Sequence, residues 1–490
     1  MPSVKVCLWN IQNYGQESRK YGGFTNRLRN RFIANFAVKH EIDVLFIQEV
    51  DQEPHDALFD LRTYVNWLYP DEDDQDWRAS WCGSAIASRR TDEVTEAGQL
   101  TYRTGARTEG YAVMWRGDRD TFDVVAAIND IGSGNIPTIL RSPLNISQRG
   151  RPARNNRIGG MDERFSATGG FTLAQPFPYD YDEEEEDYVL LDHWPRLNYP
   201  GTSRLDAMGL QWAKSRRPVY VVLQLSDGRL CPVSVYHAPS NQTRSSWGAY
   251  IAGLSREIYA TNAVENYLPV ADRYVAVRAS IFGGDFNRTV SAGDWPGDYA
   301  YFTSGRQRTY AGGASNTGVP APPATDAQRR TTVQIVSGAG HDVPITGANN
   351  SDYLQWKIDL VFFPTGAGTA AERIDLLNEL RTDGAVYSRA LKKTAAMMDD
   401  LEVLVANPPR GVEMRLTPTG PQVKRRVRRN HTWVDVWVAM ISGSWGGTFV
   451  DWNETKRQFA AGQVADARRA AEYLHIFVSD HLPLVATIDV

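Results

Sequence analysis

Ile42-Asp43-Val44-Leu45-Phe46-Ile47-Gln48-Glu49-Val50 is the segment whose reading decides the fold. Val44 to Ile47 are apolar without a break, which suits a short strand buried on both faces. The run closes on a carboxylate, Glu49. Upstream, Asn26 to His40 carries Leu28, Phe32, Ile33 and Phe36 at helical spacing, one apolar face of a helix. Further upstream, Val4, Val6 and Leu8 alternate with Lys5, Cys7 and Trp9, a period-two strand expected to end at Asn10. Downstream the habit recurs at Tyr111–Arg116, Pro218–Leu225, Cys231–Tyr236, Val275–Phe282, Ile358–Phe363, Trp433–Met440 and Pro483–Val490. Many short strands with interspersed helices predict an α/β class, a two-sheet α/β sandwich with helices outside. Polar residues at the strand ends then converge at one rim.

Composition fits an ordinary globular chain: 42% hydrophobic and 23% charged residues, with 14 Trp and 22 Tyr to fill a core. The net charge of −5 excludes attachment to nucleic acid by overall field alone, so any such binding needs a local basic surface. Cys7, Cys82 and Cys231 are too few and too scattered for a disulfide framework or a zinc site, and point to a reducing compartment. Met1-Pro2-Ser3-Val4 runs straight into a strand pattern without signal-peptide architecture, and no apolar stretch is long enough to span a bilayer. A cytoplasmic location is expected, with export by a signal-independent route as the alternative.

Candidate chemistry is spread from residue 10 to residue 481, so residues 1–490 read as one elaborated catalytic domain. Three stretches read as insertions. Residues 130–215 hold Gly, Pro, Arg and the acidic run Asp180–Asp187, which reads as solvated loop. Residues 288–350 are rich in Gly, Ala, Thr and Pro and read as long loop. Residues 365–430 are expected to hold two helices, roughly 370–381 and 385–405, followed by a basic strip.

Asn10, Glu49, Glu109, His237, Asp285, Asn287, Asp359, Asp480 and His481 end or interrupt the apolar runs. Hydrolysis of a phosphodiester needs a divalent cation to neutralise phosphate, a base to activate water and an acid to protonate the departing oxygen. Magnesium prefers oxygen ligands and keeps several waters, so one or two carboxylates suffice. Glu49 and Asp480 are suitable ligands, and Asn10 offers a carbonyl oxygen. Two histidines, each braced by a carboxylate, can divide the acid and base roles. Taken singly, each residue has a plainer reading as a solvated cap or turn.

Together, Val4–Gly15, Ile42–Val50, Tyr236-His237-Ala238-Pro239-Ser240, Gly284-Asp285-Phe286-Asn287, Lys357-Ile358-Asp359-Leu360-Val361 and Ser479-Asp480-His481-Leu482-Pro483-Leu484-Val485 resemble, in content and order, the motifs of the endonuclease/exonuclease/phosphatase superfamily in its deoxyribonuclease I form. The motifs are specific, and the core they define covers about half the chain. The resemblance implies that Glu49 with Asn10 holds Mg2+ (Mn2+ or Ca2+ as alternatives), with Asp480 at the same or a second cation position. It implies acid/base pairs His237–Glu109 and His481–Asp359. Asp285 and Asn287 would bind phosphate and position the attacking water, and Arg216 would contact phosphate. The expected activity is that of a magnesium-dependent phosphodiesterase, a DNA endonuclease, with nucleic acid as partner.

Two positions depart from that pattern. Gln12 and Asp51 stand where the deoxyribonuclease I form carries arginines that reach the minor groove, and Asp51 would repel phosphate. Basicity is available instead at Arg141, Arg149, Arg151, Arg154, Arg157 and Arg164, and in Lys424-Arg425-Arg426-Val427-Arg428-Arg429. Such strips suit contact with a nucleic-acid backbone and equally suit plain solvation. A second reading keeps the fold and the cation but takes a phosphoinositide or sphingomyelin-type lipid. A third, a binding protein without catalysis, sits badly with intact carboxylates and both histidines.

Overall fold

The strand Val44–Val50 is buried on both faces, as its unbroken apolar run requires, and the two faces meet different partners. The computed structural model describes residues 2–15, 24–50, 55–68, 77–82, 93–94, 100–101, 110–116, 121–129, 179–182, 187–190, 219–227, 230–235, 237, 268–270, 273–275, 281–285, 299–303, 306–309, 330–337, 343–355, 359–364, 369–429, 432–442 and 447–490.

Chain order gives β1 (Ser3–Tyr14), α1 (Phe24–Lys39), β2 (Val44–Val50), α2 (His55–Leu68), β3 (Trp77–Cys82), β4 (Gly110–Arg116) and β5 (Phe122–Asn129). Then come β6 (Val219–Leu225), β7 (Leu230–Val235), β8 (Ile281–Asp285), β9 (Tyr299–Thr303), β10 (Arg306–Thr309), β11 (Asp359–Pro364) and β12 (Thr369–Arg373). The C-terminal part carries α3 (Leu376–Thr382), α4 (Gly384–Ala406), β13 (Met414–Thr417), β14 (Gly420–Arg429) and β15 (Thr432–Ala439). It ends with α5 (Trp452–Ala460), α6 (Ala467–Tyr473) and β16 (Leu484–Asp489).

Two sheets form the centre, in strand orders β12-β16-β1-β2-β4-β3 and β10-β9-β11-β8-β7-β6-β5. β1 and β2 run parallel with α1 as their crossover, whereas β16 pairs antiparallel to β1. Alternation sorts the side chains. Val4, Val6 and Leu8 join Val44, Phe46, Val113 and Trp115 against Leu223, Val233, Val235, Ile281 and Val361 of the second sheet. Cys7, Trp9, Ile11, Leu45 and Ile47 face the other way, onto Phe32, Ile33 and Phe36 of α1, Leu58 and Leu61 of α2, and Tyr387 and Leu391 of α4. Trp9 packs on Phe36 at 5.0 Å between ring centroids, and Phe32 stacks on Tyr387 at 4.4 Å. Cutting Phe32 back to Ala would cost roughly 3–5 kcal/mol by opening a cavity at this junction. The expected sandwich with helices outside is therefore the observed architecture.

Several local expectations give way to tertiary pairing. β1 continues past Asn10 to Tyr14. Residues 370–373, read as the start of a helix, fall in β12: Ala371 and Glu372 pair with Ala486 and Val485 of β16, so sheet edge pairing overrides helix propensity. The helix begins only after Asp375, whose side chain accepts a hydrogen bond from the Asn378 N–H. The acidic run contributes an antiparallel pair, Tyr179–Asp182 with Asp187–Leu190. The basic strip lies in β14, the middle of a three-stranded sheet. Gly284 sits inside β8 opposite Leu360 at φ +132°, a backbone that a side chain would strain. Cys7 and Cys231 are buried free thiols. Among the described residues no helix is long and apolar enough to cross a membrane.

Candidate active site

Asn10, Glu49, His237, Asp285, Asp359, Asp480 and His481 come from separate stretches of the chain and meet at one rim of the sandwich. The rim is built where β1 and β2 leave regular pairing. In β2 the ladders to β1 and β4 both step from Gln48 to Val50, leaving Glu49 as a bulge with φ +58°. In β1 the pairing steps from Asn10 to Tyr14, across Gln12 and Asn13 at φ +26° and +53°. Bulges re-aim side chains. Regular alternation would put Glu49 with Leu45 and Ile47 on the helix-facing side, whereas its carboxylate stands beside Asn10 and His237.

Asp285 Oδ2 is the hub. The Asn10 side-chain amide donates to it at 3.0 Å and to Glu49 Oε1 at 3.0 Å, while Asn10 Oδ1 accepts from the Gln12 N–H at 3.0 Å. His237 Nε2 lies 3.5 Å from Asp285 Oδ2 and 3.3 Å from Glu49 Oε1. His481 Nε2 reaches the same Asp285 oxygen at 3.6 Å and Asp480 Oδ1 at 3.8 Å. The opposite nitrogen of that ring, Nδ1, is held by both Asp359 oxygens at 2.9 and 3.1 Å, the pairing expected from the motifs. Burial of His481 opposes a positive charge, but Asp359, Asp285 and Asp480 outweigh it and hold its pKa well above the ordinary histidine range.

Four further residues, to which the sequence assigned no role, hold this cluster. Gln48, on the face toward the second sheet, accepts the Asp285 backbone N–H at 2.9 Å through Oε1. Tyr111, opposite Gln48 in β4, accepts the His237 N–H at 3.0 Å on its hydroxyl. The Ser479 hydroxyl donates to the Asn10 carbonyl at 2.5 Å and accepts the His481 N–H at 3.0 Å. Arg29 of α1, buried, donates to the Ile11 and Gln12 carbonyls at 3.3 and 3.0 Å and to the Phe477 carbonyl at 3.4 Å. Burial pulls the Arg29 pKa down to about 10 although the charges of Asp480 and Glu49 act to raise it. Gln48 had a readable signal, an amide directly after the unbroken apolar run of its strand. Arg29 had none in a helix of mixed polarity.

The donor set fits a divalent cation. Ligand atoms of Glu49, His237 and Asp285 lie within 4.8 Å of one another, as do those of Asp285, Asp359 and His481. Glu49 and Asp285 stand close together with only the neutral Asn10 amide hydrogen-bonded between them, and a divalent cation would relieve their repulsion. Hard oxygen donors at strand ends suit magnesium or calcium chemistry. Asn10 directs its nitrogen at the carboxylates and its oxygen at Gln12, so the oxygen proposed as a ligand has one lone pair already engaged. Glu109, Asn287 and Arg216 lie outside the described residues, as do Asp51 and the arginines between 141 and 164.

The profile of the Endonuclease/Exonuclease/phosphatase family matches residues 7–379, about three quarters of the sequence, and the chain belongs to this family. Its members are phosphoesterase hydrolases that generally depend on a divalent metal. No curated protein sequence is similar enough to count as a relative. Among solved structures, an endonuclease/exonuclease/phosphatase from Bacteroides vulgatus is 10% identical with a TM-score of 0.33, each chain covered over 100% of its length. The mannosyl-6-phosphatase Bt3783 of Bacteroides thetaiotaomicron VPI-5482 is 11% identical with a TM-score of 0.36, covering 99% of this chain and 100% of that one. D. rerio TDP2 complexed with single strand DNA product is 9% identical with a TM-score of 0.34, each chain covered over 100%.

Proposed function

We propose that this chain is a magnesium-dependent phosphodiesterase that cuts DNA internally, Mn2+ and Ca2+ being alternative ions. One observation carries the reading: two imidazoles from distant motifs present Nε2 to the same buried oxygen of Asp285, 3.5 and 3.6 Å away. A cation held by Glu49, with Asn10 and Asp480 beside it, would neutralise charge on the phosphate. Asp285 and Asn287 bind phosphate and orient the attacking water, and Arg216 adds a phosphate contact. His237 and His481 divide proton transfer, one drawing a proton from water and the other giving one to the departing oxygen. Asp359 fixes the His481 ring so that Nε2 faces the cleft, and Glu109 serves His237 in the same way. Water attacks in line, with no covalent intermediate.

Purified protein with Mg2+ is expected to nick supercoiled plasmid, and chelator, Glu49→Ala or His237→Ala should abolish nicking. A parallel panel of single-stranded DNA, RNA and inositol phosphates sets the substrate class. Intact nucleic acids alongside phosphate or choline release from a lipid would overturn the nuclease reading in favour of a lipid or inositol ester. Nicking that survives both substitutions would show that the site lies elsewhere.

A further inference from the structure

The sheet formed by β13, β14 and β15 has one inward and one outward face. Val423 is buried, and Met414 packs against the same core cluster, so that side is closed by the body of the protein. Along β15 exposure alternates: Trp433 and Asp435 are exposed, Val434 and Val436 half-buried. The register then decides which residues share the outer side. Lys424 pairs with Trp437, Arg426 with Asp435 and Arg428 with Trp433, which places these positions of β14 and β15 on one face of the sheet. From β13, the Arg415 guanidinium covers the Trp437 ring at 4.3 Å. Trp433 is 58% exposed.

A single exposed tryptophan is ordinary on a protein surface. A basic row in register with two tryptophans is a more specific pattern, because phosphates and bases need different partners at alternating positions. Trp433 and Trp437 stand four residues apart on one strand, about 13 Å at strand rise. The face also carries Asp435 and, through its ion pair with Lys424 at 2.9 Å, Glu413. Such exposed pairs are weak, and phosphate can take over the cation. Three basic residues with described side chains, Arg415, Lys424 and Arg426, stand against those two acids. The chain as a whole is negative, so this is the kind of local surface its net charge of −5 demands of a nucleic-acid binder.

We infer that the outer face of this sheet is an accessory site for single-stranded nucleic acid, with bases stacking on Trp433 and phosphates meeting Lys424 and Arg426. It shares no residue with the hydrolytic cluster, so it goes beyond the reading proposed above. The exposed Trp433 ring beside a cationic row accepts a splayed base, which a duplex keeps stacked inside, so single strands should bind ahead of duplex.

The test uses the full chain in chelator, so that binding is read without turnover. Fluorescence anisotropy is followed with labelled oligothymidylate and oligouridylate of about 20 nucleotides, enough to span a site of this kind, and with a duplex of the same length, across a salt series. Expected is tighter binding of either single strand than of duplex. Trp433→Ala should weaken single-strand binding about 10- to 100-fold. Arg426→Glu should flatten the dependence of log affinity on log salt by about 0.7 for each phosphate no longer engaged. Unchanged thermal unfolding confirms that the variants are folded. Wild-type protein that binds no single strand, or folded variants that bind like wild type, would overturn the inference. Plasmid nicking in Mg2+ separates the two readings. Nicking with unaltered variant binding sinks this site alone, and variant-sensitive binding without nicking sinks the nuclease alone.

Discussion

Gln48→Leu isolates one of the hydrogen bonds that join the two sheets at the rim of the candidate site. Leucine is close to glutamine in bulk and suits a buried strand, so the substitution leaves packing nearly unchanged and removes one acceptor. In the native protein Gln48 Oε1 accepts the Asp285 N–H at 2.9 Å, with both residues 1% exposed. Leucine leaves that N–H buried without an acceptor, a cost of about 1–3 kcal/mol. The chemical consequence should exceed the structural one. The freed backbone lets Asp285 move away from its interactions with Asn10, His237 and His481, and a displacement of about 1 Å at a reacting group can cost roughly 10²-fold in rate. Urea unfolding would read the first quantity and plasmid nicking under single-turnover conditions the second. Phe46→Leu is the control: Phe46 points to the same inter-sheet core from the same strand, among apolar side chains. It should lose about 1 kcal/mol of stability with little selective loss of rate. If Gln48→Leu were as stable and as active as wild type, the inter-sheet bond would not be what positions Asp285. Equal rate losses in both variants would tie the effect to general loosening instead.

Asp359→Asn removes the charge that braces His481 Nδ1 at 2.9 Å and lets the amide favour the wrong ring tautomer. A loss of roughly 10²- to 10⁴-fold in kcat with little change in KM is expected, and a change in KM alone would refute the bracing role. Arg29→Met should weaken both stability and turnover, because three carbonyls are deprived of a shared donor. Arg29→Lys keeps charge but not the planar fork, so lysine that restores full turnover would show that charge and not geometry matters. Glu379, gripped by His40, Lys39 and Tyr387, gives a pH test of stability. Burial alone would raise its pKa, but His40, Lys39 and Tyr387 together lower it. A depressed carboxylate stabilises above its ordinary unfolded value and loses that contribution as pH falls through the lower folded value. Glu379→Gln should therefore be less stable than wild type by about 1–3 kcal/mol at neutral pH, and the two melting curves should converge in acid. A gap that persisted unchanged there would contradict the linkage.

The fold was legible because its central strands advertise themselves. Val44–Ile47 could only be buried on both sides, and the alternation in β1 assigned one set of side chains to each layer. The candidate site was legible as a set of strand-end polar residues, because a rigid sandwich sends such residues to one rim. What could not be read was local structure or support set by a distant partner that no motif names. Ala370 and Ala371 favour a helix locally, and only the presence of β16 beside them makes a strand. Lys424–Arg429 reads as a charge run until its register against Trp433 and Trp437 is known. Tyr111 carries no motif at all, and its value comes from the His237 N–H that the second sheet brings to it. Glu109, Asn287 and Arg216 keep the roles the motifs imply as proposals.

The bulges explain why a strand can end in chemistry without losing its core. Glu49 directly follows Gln48, whose side chain must face the second sheet to hold Asp285, so strict alternation would turn Glu49 toward the helices. Both residues serve one cleft only if the backbone between them breaks period, and φ +58° at Glu49 is that break. Left-handed backbone at a residue with a Cβ costs roughly 1–2 kcal/mol, and Gln12 and Asn13 repeat the conformation on the neighbouring strand. Something must hold this conformation in place. Arg29 is placed to do so, since its guanidinium binds the two carbonyls at the start of the β1 irregularity and a third just before Ser479. Its positive charge also lies near Glu49 and Asp480. One buried side chain from α1 thus secures the distorted backbone and offsets the repulsion among the carboxylates that the distortion gathers.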